Sequence, residues 1–479
     1  MYNKIVYMDS KTSKLLEGPI IKSLFTLAVP IILANILQAT YQLTDAFWVG
    51  RLGGAAIASV SVSFPIIFLL ISLGAGLAVA GSTLIAQYVG AKNEKMVNHV
   101  AAQTLLMVAI ISVILSTVGY LLAPTILRLM GVAPDVYINA LGFMRVSFFG
   151  LIFMFGFAMF QSIMRGIGQV KMPMYIVLGT VILNFALDPI FIFGWGAIAP
   201  YGVMGAAMAT FGTQALATII GFVILFKGKF GIHLKIADFK PDFTFIKKAF
   251  FLGFPASIEQ SARALGMTVM TFLIASFGTM AVASYGVGSN ILQFVVIPAL
   301  GLSMAISILV GQNIGAGNIK RASDIARLGA IVSFVVLSIV GIIAFVFASN
   351  LIAIFVPSDP AVILAGATFV RTMALTFGFI GVQMALNGVF RASGNMISAM
   401  VLALVSQWVL RFPIAYILSS HTSLGVSGLW WAFPISNVLM AFITIAWYVK
   451  GDWKNKKLTE EDQFTEKISE EIFVEEGVR

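Results

Sequence analysis

Apolar stretches of about 18 residues or more, long enough to cross a bilayer as helices, recur along the whole chain between Gly, Pro and charge clusters. The composition agrees: 59% of the 479 residues are in the apolar set and 10% are charged, against about 25% charged in an ordinary soluble domain. A water-soluble fold of this length cannot hide so much apolar surface, so a soluble enzyme is excluded first. The expected fold class is an all-α polytopic membrane protein. Twelve transmembrane helices are predicted, over 20–47, 55–89, 97–122, 137–163, 173–194, 202–226, 247–276, 281–311, 323–349, 361–389, 396–418 and 425–449.

The net charge of +10 reflects topology rather than a polyanionic partner. No basic run is interleaved with stacking aromatics as a nucleic-acid groove requires, so no nucleic-acid partner is expected. Twenty-four of the Lys and Arg residues lie on one side of the predicted spans and only Arg51 and Arg128 in the opposite loops. By the positive-inside rule both termini are then cytoplasmic, in a multi-pass protein of the cell membrane. The run from Ile20 is too long for a cleavable signal and reads as a retained first span. There is no cysteine, hence no disulfide, thiolate metal site or cysteine nucleophile, and His99, His233 and His421 are too scattered to form a ligand cluster. No cofactor is expected.

The chain repeats itself. The segment AQYVGAKN at 86–93 returns as GQNIGAGN at 311–318, an offset of 225 that also aligns Pro30 with Pro255 and Gly76 with Gly301. MRGIGQ at 164–169 matches FRASGN at 390–395, DPI at 188–190 matches FPI at 412–414, and GVMG at 202–205 matches GVSG at 425–428, at offsets of 226, 224 and 223. Each half holds an even number of spans, so the halves share one orientation. The expectation is two six-helix lobes related by a pseudo-two-fold axis along the membrane normal, as in parallel-repeat transporters that rock between inward-open and outward-open states. The predicted organisation is a cytoplasmic N-terminus (1–19), an N-lobe (20–226), a cytoplasmic linker (227–246), a C-lobe (247–449) and a cytoplasmic tail (450–479). Residues 458–479 of that tail carry eight acids against two bases and are expected to be solvated.

A charge inside the bilayer costs roughly 2.5–3.5 kcal/mol on insertion scales. Of twenty acids, only Asp45, Asp188 and Glu259 lie well inside predicted spans. At about 1.5 Å per residue, Asp45 sits roughly 35 Å along its helix from Lys22, less any tilt and bend at Pro30, and Asp188 roughly 25 Å from Lys171. Both then fall in the outer half of the first lobe. Asn184 shares the helix face of Asp188, and Pro189 deprives the Phe185 carbonyl of its usual partner. Two carboxylates, an amide oxygen and a freed carbonyl are hard oxygen ligands suited to a proton or Na⁺. The competing reading has Asp45 capping a helix end and Asp188 snorkelling. At the repeat offset these acids map to Met270 and Phe412, which confines the expected ion site to the first lobe.

Glu259 stands four residues before Arg263, and two readings stand: a helix ion pair that lowers the insertion cost of both charges, or a cavity wall that attracts cations. The in-span Arg145, Arg371 and Arg411 are expected to turn inward, towards acids, carbonyls or an anionic group. Forty Phe and 22 Met supply material for an adaptable apolar cavity.

These residues resemble the multidrug and toxic compound extrusion (MATE) family of secondary transporters, over about residues 18–450. The likeness is carried by Pro30 with Asp45, AQYVGAKN, MRGIGQ, LDPIFIFG, GVMGAAMAT and ALNGVFRASGN. It implies antiport of organic cations or other small-molecule drugs against H⁺ or Na⁺ by a monomer in contact with membrane lipid. Asp45, Asn184 and Asp188 resemble the first-lobe cation site of the archaeal and DinF-like branch, with Na⁺ possible there, and Thr210 is a fourth ligand by similarity. Gln161, Glu259, Arg263, Gln383 and Asn387 are then expected in the substrate cavity, Gln161 where relatives often have Asn. The NorM-like branch pairs a seventh-span Glu with a tenth-span Asp. Here the tenth span offers Arg371, Thr376, Gln383 and Asn387 but no acid, and Phe143 replaces a frequent Tyr. The alternative function is flipping of a lipid-linked or amphipathic anionic substrate. A membrane enzyme is not expected, since HEXXH, a P-loop and a His cluster are all missing.

Overall fold

A computed structural model describes residues 15–357 and 359–459. The acidic tail from 460 onward and residues 1–14 lie outside the described residues. The long helices are α1 (Ile20–Gly50), α2 (Gly54–Gly90), α3 (Glu94–Leu129), α4 (Pro134–Gly166), α5 (Lys171–Phe193) and α6 (Val203–Lys227). They continue as α7 (Phe243–Ala275), α8 (Thr279–Gly315), α9 (Ile319–Val346) and the short α10 (Ala348–Phe355). Then come α11 (Pro360–Ala374), α12 (Phe377–Ala392), α13 (Met396–Ser420) and α14 (Val426–Lys450). Among the described residues the only extended pairing is an isolated bridge, Trp195 with Ile198. Ten of these helices, and α11 with α12 taken together, are long and apolar enough to cross a membrane. α7 has the length but carries Lys247, Lys248, Glu259 and Arg263. The chain is an all-α polytopic membrane protein with six membrane-length helical runs in each half.

Two of the predicted spans are not regular helices. The tenth is broken between α11 and α12, which meet at 52°. At the break Thr376 leaves helical geometry (φ −120°, ψ 11°) and its hydroxyl donates to the Met373 carbonyl at 3.2 Å. The eleventh, α13, widens into a π-helical stretch over Val405–Arg411. Pro413 lies just beyond it and has no N–H to return to the preceding turn, so the hydrogen-bond ladder adjusts there instead of breaking. The helix starts are locally encoded too. Asp359 caps α11 by accepting from the Ala361 and Val362 amides at 3.0 and 3.1 Å, with Pro360 at the first helical position.

The chain forms two compact units. The first holds Leu33–Ser82 and Glu94–Ser261; the second holds the described residues up to Ile32, Thr83–Asn93 and everything from Ala262. In the first, α4 packs against α3 and α6, and α5 against α6. The buried face of α4 presents Phe148, Phe155, Phe157, Met159 and Phe160. In the second, α8, α9 and α12 pack on one another, and α14 packs on α12 and α13.

The repeated Gly in AQYVG and GQNIG has a geometric cause. In the second unit, a Cβ on Gly90 would collide with the Gln312 carbonyl, and one on Gly315 with the Gln87 carbonyl. The ends of α2 and α8 thus cross reciprocally, backbone on backbone, through the motif that the sequence duplicates. Gln87 fastens the crossing: its amide donates to the Ala392 carbonyl at 2.7 Å and accepts from the Leu458 amide at 2.9 Å. Gly90→Val or Gly315→Val is expected to destabilise the protein by about 1–3 kcal/mol or more, as overpacking against backbone does. A lowered melting midpoint in detergent checks this.

Candidate functional site

Three helices of the first unit build the site around Asp45. α1 presents Tyr41 and Asp45 one turn apart, α5 presents Asn184 and Asp188 one turn apart, and α6 presents Thr210 and Thr213. The Asn184 amide nitrogen donates to Asp45 Oδ1 at 2.6 Å and to Asp188 Oδ2 at 2.9 Å. The Thr210 hydroxyl donates to Asp45 Oδ2 at 3.2 Å. The two carboxyl groups also lie within reach of a shared hydrogen bond. Asn184 and Asp188 are fully buried, and Asp45 is half-buried.

The fourth expected ligand therefore stands beside the other three. Asp188 does not snorkel, because it has no exposed surface, and α5 runs unbroken through Pro189 to Phe193. Asp45 is five residues short of the end of α1, not at its cap.

Local packing sets this convergence. Gly205 lets the start of α6 lie directly on the Phe191 carbonyl of α5, where any Cβ would clash. Trp48 of α1 packs against Phe185 and Phe193 of α5, with ring centroids 5.7 and 6.2 Å away. The Tyr41 hydroxyl meets the Thr213 hydroxyl at 2.5 Å and joins α1 to α6. Tyr41 and Thr213 are site residues that the sequence reading passed over. Their signal is spacing: Tyr41 is one turn before Asp45 and Thr213 one turn after Thr210, each on the same face as its neighbour.

Two buried acceptors, Asn184 Oδ1 and Asp188 Oδ1, have no hydrogen-bond partner. An oxygen buried without a donor is costly, and a bound H⁺ or Na⁺ is the partner such oxygens suit. The donor set fits a small hard cation: two carboxylates, one amide oxygen and one hydroxyl. Beside it lies a cavity of about 330 Å³ whose wall includes Asp45, Thr210, Gln42, Phe64, Phe143 and Met154. Phe143, which has no hydroxyl to offer, makes its part of that wall apolar. Among the described residues no group of three or more His, Cys, Asp or Glu gathers as a metal cluster.

The other sequence-derived candidates fall in both units. Gln161 and Glu259 belong to the first, Arg263, Gln383 and Asn387 to the second. Glu259 is fully buried, Gln383 and Asn387 are buried, and Gln161 and Arg263 are half-buried. Both polar atoms of the Asn387 side chain lack a hydrogen-bond partner.

The in-span arginines meet neutral groups. Arg145 lies over the Tyr120 ring at 4.9 Å, and Arg371 donates to the Ser349 hydroxyl at 3.2 Å and the Phe345 carbonyl at 3.4 Å. Arg411 donates from Nε to the Ser436 hydroxyl at 3.3 Å, from Nη1 to Gln407 Oε1 at 3.1 Å and from Nη2 to Asn437 Oδ1 at 2.8 Å. Met270 and Phe412, which align with the two acids at offsets of 225 and 224, are apolar side chains.

A fold of two repeated six-helix sets with paired acids buried in the first is that of a membrane transporter. The MatE family model matches residues 30–190 and 255–417, one match in each half, and the chain belongs to that family. It is 29% identical to the probable multidrug resistance protein YoeA of Bacillus subtilis over 94% of this chain and 97% of the relative. It is 30% identical to the probable multidrug resistance protein YpnP of the same organism, over 94% and 98%. Its fold superimposes with a TM-score of 0.86 on a MATE crystallised in complex with MaL6, at 26% identity over 91% of this chain and 97% of that one. The chain is thus a multi-pass membrane transporter and not an enzyme.

Asn184→Leu removes the donor that both carboxyls share. It is expected to lower stability by about 1–3 kcal/mol, the cost of leaving buried polar groups unpaired, and thermal unfolding in detergent measures it.

Proposed function

We propose that the protein is a secondary active exporter of organic, often cationic, small molecules, driven by entry of H⁺ or Na⁺ at Asp45, Asn184, Asp188 and Thr210. One observation carries the reading: two acids on different helices joined by one amide, with Asp188 Oδ1 and Asn184 Oδ1 buried and unpartnered, beside a cavity of drug-sized volume. Two carboxyls in contact favour a bound proton or Na⁺ between them over two bare charges. The names of YoeA and YpnP support multidrug compounds as the substrate class. The excess of Lys and Arg on one side supports an orientation with both termini in the cytoplasm.

Coupling follows if ion and drug stabilise different states. A cation at Asp45 changes the charge of the cavity wall that a cationic drug would face, so each ligand weakens the other, and the linkage is reciprocal. Two like six-helix halves are the usual architecture for alternating access, in which drug taken from the cytoplasm is released outside. Glu259 would supply a cation-attracting carboxylate to the first unit.

Asp45→Asn and Asp188→Asn are each expected to abolish uphill efflux while leaving the protein folded. The check is ethidium movement in proteoliposomes under an imposed pH gradient and, separately, an imposed Na⁺ gradient. Movement under one gradient names the ion. Uphill transport by both variants at the normal rate would remove the assigned site, and no movement by the folded wild type under either gradient would favour flipping of an amphipathic anion. Glu259→Gln is expected to raise the KM for ethidium several-fold if the carboxylate attracts the cation, whereas a purely structural pair would show as a lower melting midpoint alone.

A further inference from the structure

The second unit repeats the construction of the first with the charge reversed. In the first half a carboxamide and a charged residue lie one turn apart on the fifth span, Asn184 and Asp188, and the sixth span supplies hydroxyls at Thr210 and Thr213. At the offset of 223 that aligns GVMG with GVSG, Asn184 maps to Gln407, Asp188 to Arg411 and Thr213 to Ser436. The DPI and FPI strings alone give 224 and hide this match. The π-helical stretch over Val405–Arg411 contains both Gln407 and Arg411. It is the segment where the helical register is altered, and within it the Arg411 side chain reaches back to Gln407.

The resulting centre is a cation held by neutral groups. Arg411 donates to three neutral acceptors, Ser436, Gln407 and Asn437, and Asn437 in turn donates to the Thr376 hydroxyl at the break between α11 and α12. Among the described residues no carboxylate pairs with it. Three of its five N–H groups are used, which leaves one on each terminal nitrogen. The Phe433 ring lies 4.9 Å from the guanidinium. Arg411 as a residue keeps part of its surface exposed. A guanidinium inside a membrane domain, fixed in orientation by amides and hydroxyls and with two N–H groups to spare, has the fork geometry that binds a carboxylate or phosphate through two parallel hydrogen bonds.

We propose that Arg411, held by Gln407, Ser436 and Asn437, is a binding subsite for an oxyanion, the carboxylate or phosphate of an amphiphilic aromatic substrate or of a lipid. The ring of Phe433 beside the fork favours an aromatic or acyl body attached to the anion. The subsite lies wholly in the second unit and does not depend on which cation, if any, binds at Asp45 and Asp188.

Purified protein in phosphatidylcholine nanodiscs is titrated with 1-naphthoate, 1-naphthyl phosphate and the neutral 1-naphthalenemethanol, following quenching of tryptophan fluorescence, since Trp408 and Trp430 lie close to the site in sequence. A second series uses nanodiscs that also contain phosphatidylglycerol. Saturable binding of either anion at least tenfold tighter than of the alcohol is expected. Weakening by phosphatidylglycerol identifies a lipid phosphate as an occupant, and no weakening assigns the subsite to the soluble anion. Arg411→Met is expected to erase the preference for anions. Gln407→Glu keeps shape and fold and supplies Arg411 with an internal carboxylate, so it should erase the same preference even if Arg411→Met fails to fold. Equal binding of anion and alcohol by the wild type, or an anion preference that survives Gln407→Glu, would overturn the proposal.

Discussion

The Asn184 amide, donating at once to Asp45 and Asp188, is the contact on which the first unit is organised. Away from water a carboxylate keeps its place only if something donates to it. Here one NH₂ group serves two acids from different helices. That demand fixes the rotation of α1 and α5 about their axes, and Thr210 fixes α6 against them. The apolar contacts around the site, Trp48 on Phe185 and Phe193 and Gly205 on the Phe191 carbonyl, hold the backbones near enough for those bonds to form. Both donor hydrogens of the amide are used, and its oxygen is left buried without a hydrogen-bond partner.

The same economy operates in the second unit with opposite sign. Arg411 occupies its place through amide and hydroxyl acceptors instead of donors. Duplication supplied two pairs of neighbouring spans, and each pair came to hold a charge one turn from a carboxamide. The two halves thus keep one scaffold while the charge on the fifth span of each is opposite, Asp188 in one and Arg411 in the other. The irregular helices fall where this chemistry sits. The break at Thr376 and the π-helical stretch ending at Arg411 both touch the Arg411 network, and irregular backbone at membrane depth is tolerated where it is enclosed by protein or lines a cavity.

Much of this was legible in the sequence for reasons that are local. Transfer of a residue from water to hydrocarbon is a per-residue free energy, so apolar runs announced the spans and isolated acids announced Asp45, Asp188 and Glu259 as exceptions. The i, i+4 spacing of Asn184 and Asp188 followed from helix geometry alone. Recurrent strings revealed the six-plus-six repeat, and Gly90 with Gly315 shows why such strings recur: a backbone-to-backbone crossing accepts no side chain. Tyr41 and Thr213 escaped because a Tyr and a Thr in a membrane helix are common, and nothing in their own neighbourhood marks them.

What the sequence by itself determined is the class of fold, the repeat and the short set of costly charges, since each depends on solvation and chain-local periodicity. What only the tertiary structure decided is which charge meets which partner. That Asn184 bridges two acids, and that Arg411 meets Gln407, Ser436 and Asn437, depends on helix rotation and on a π-helical change of register. Both arise when helices from distant parts of the chain pack together, and no window along one helix contains them.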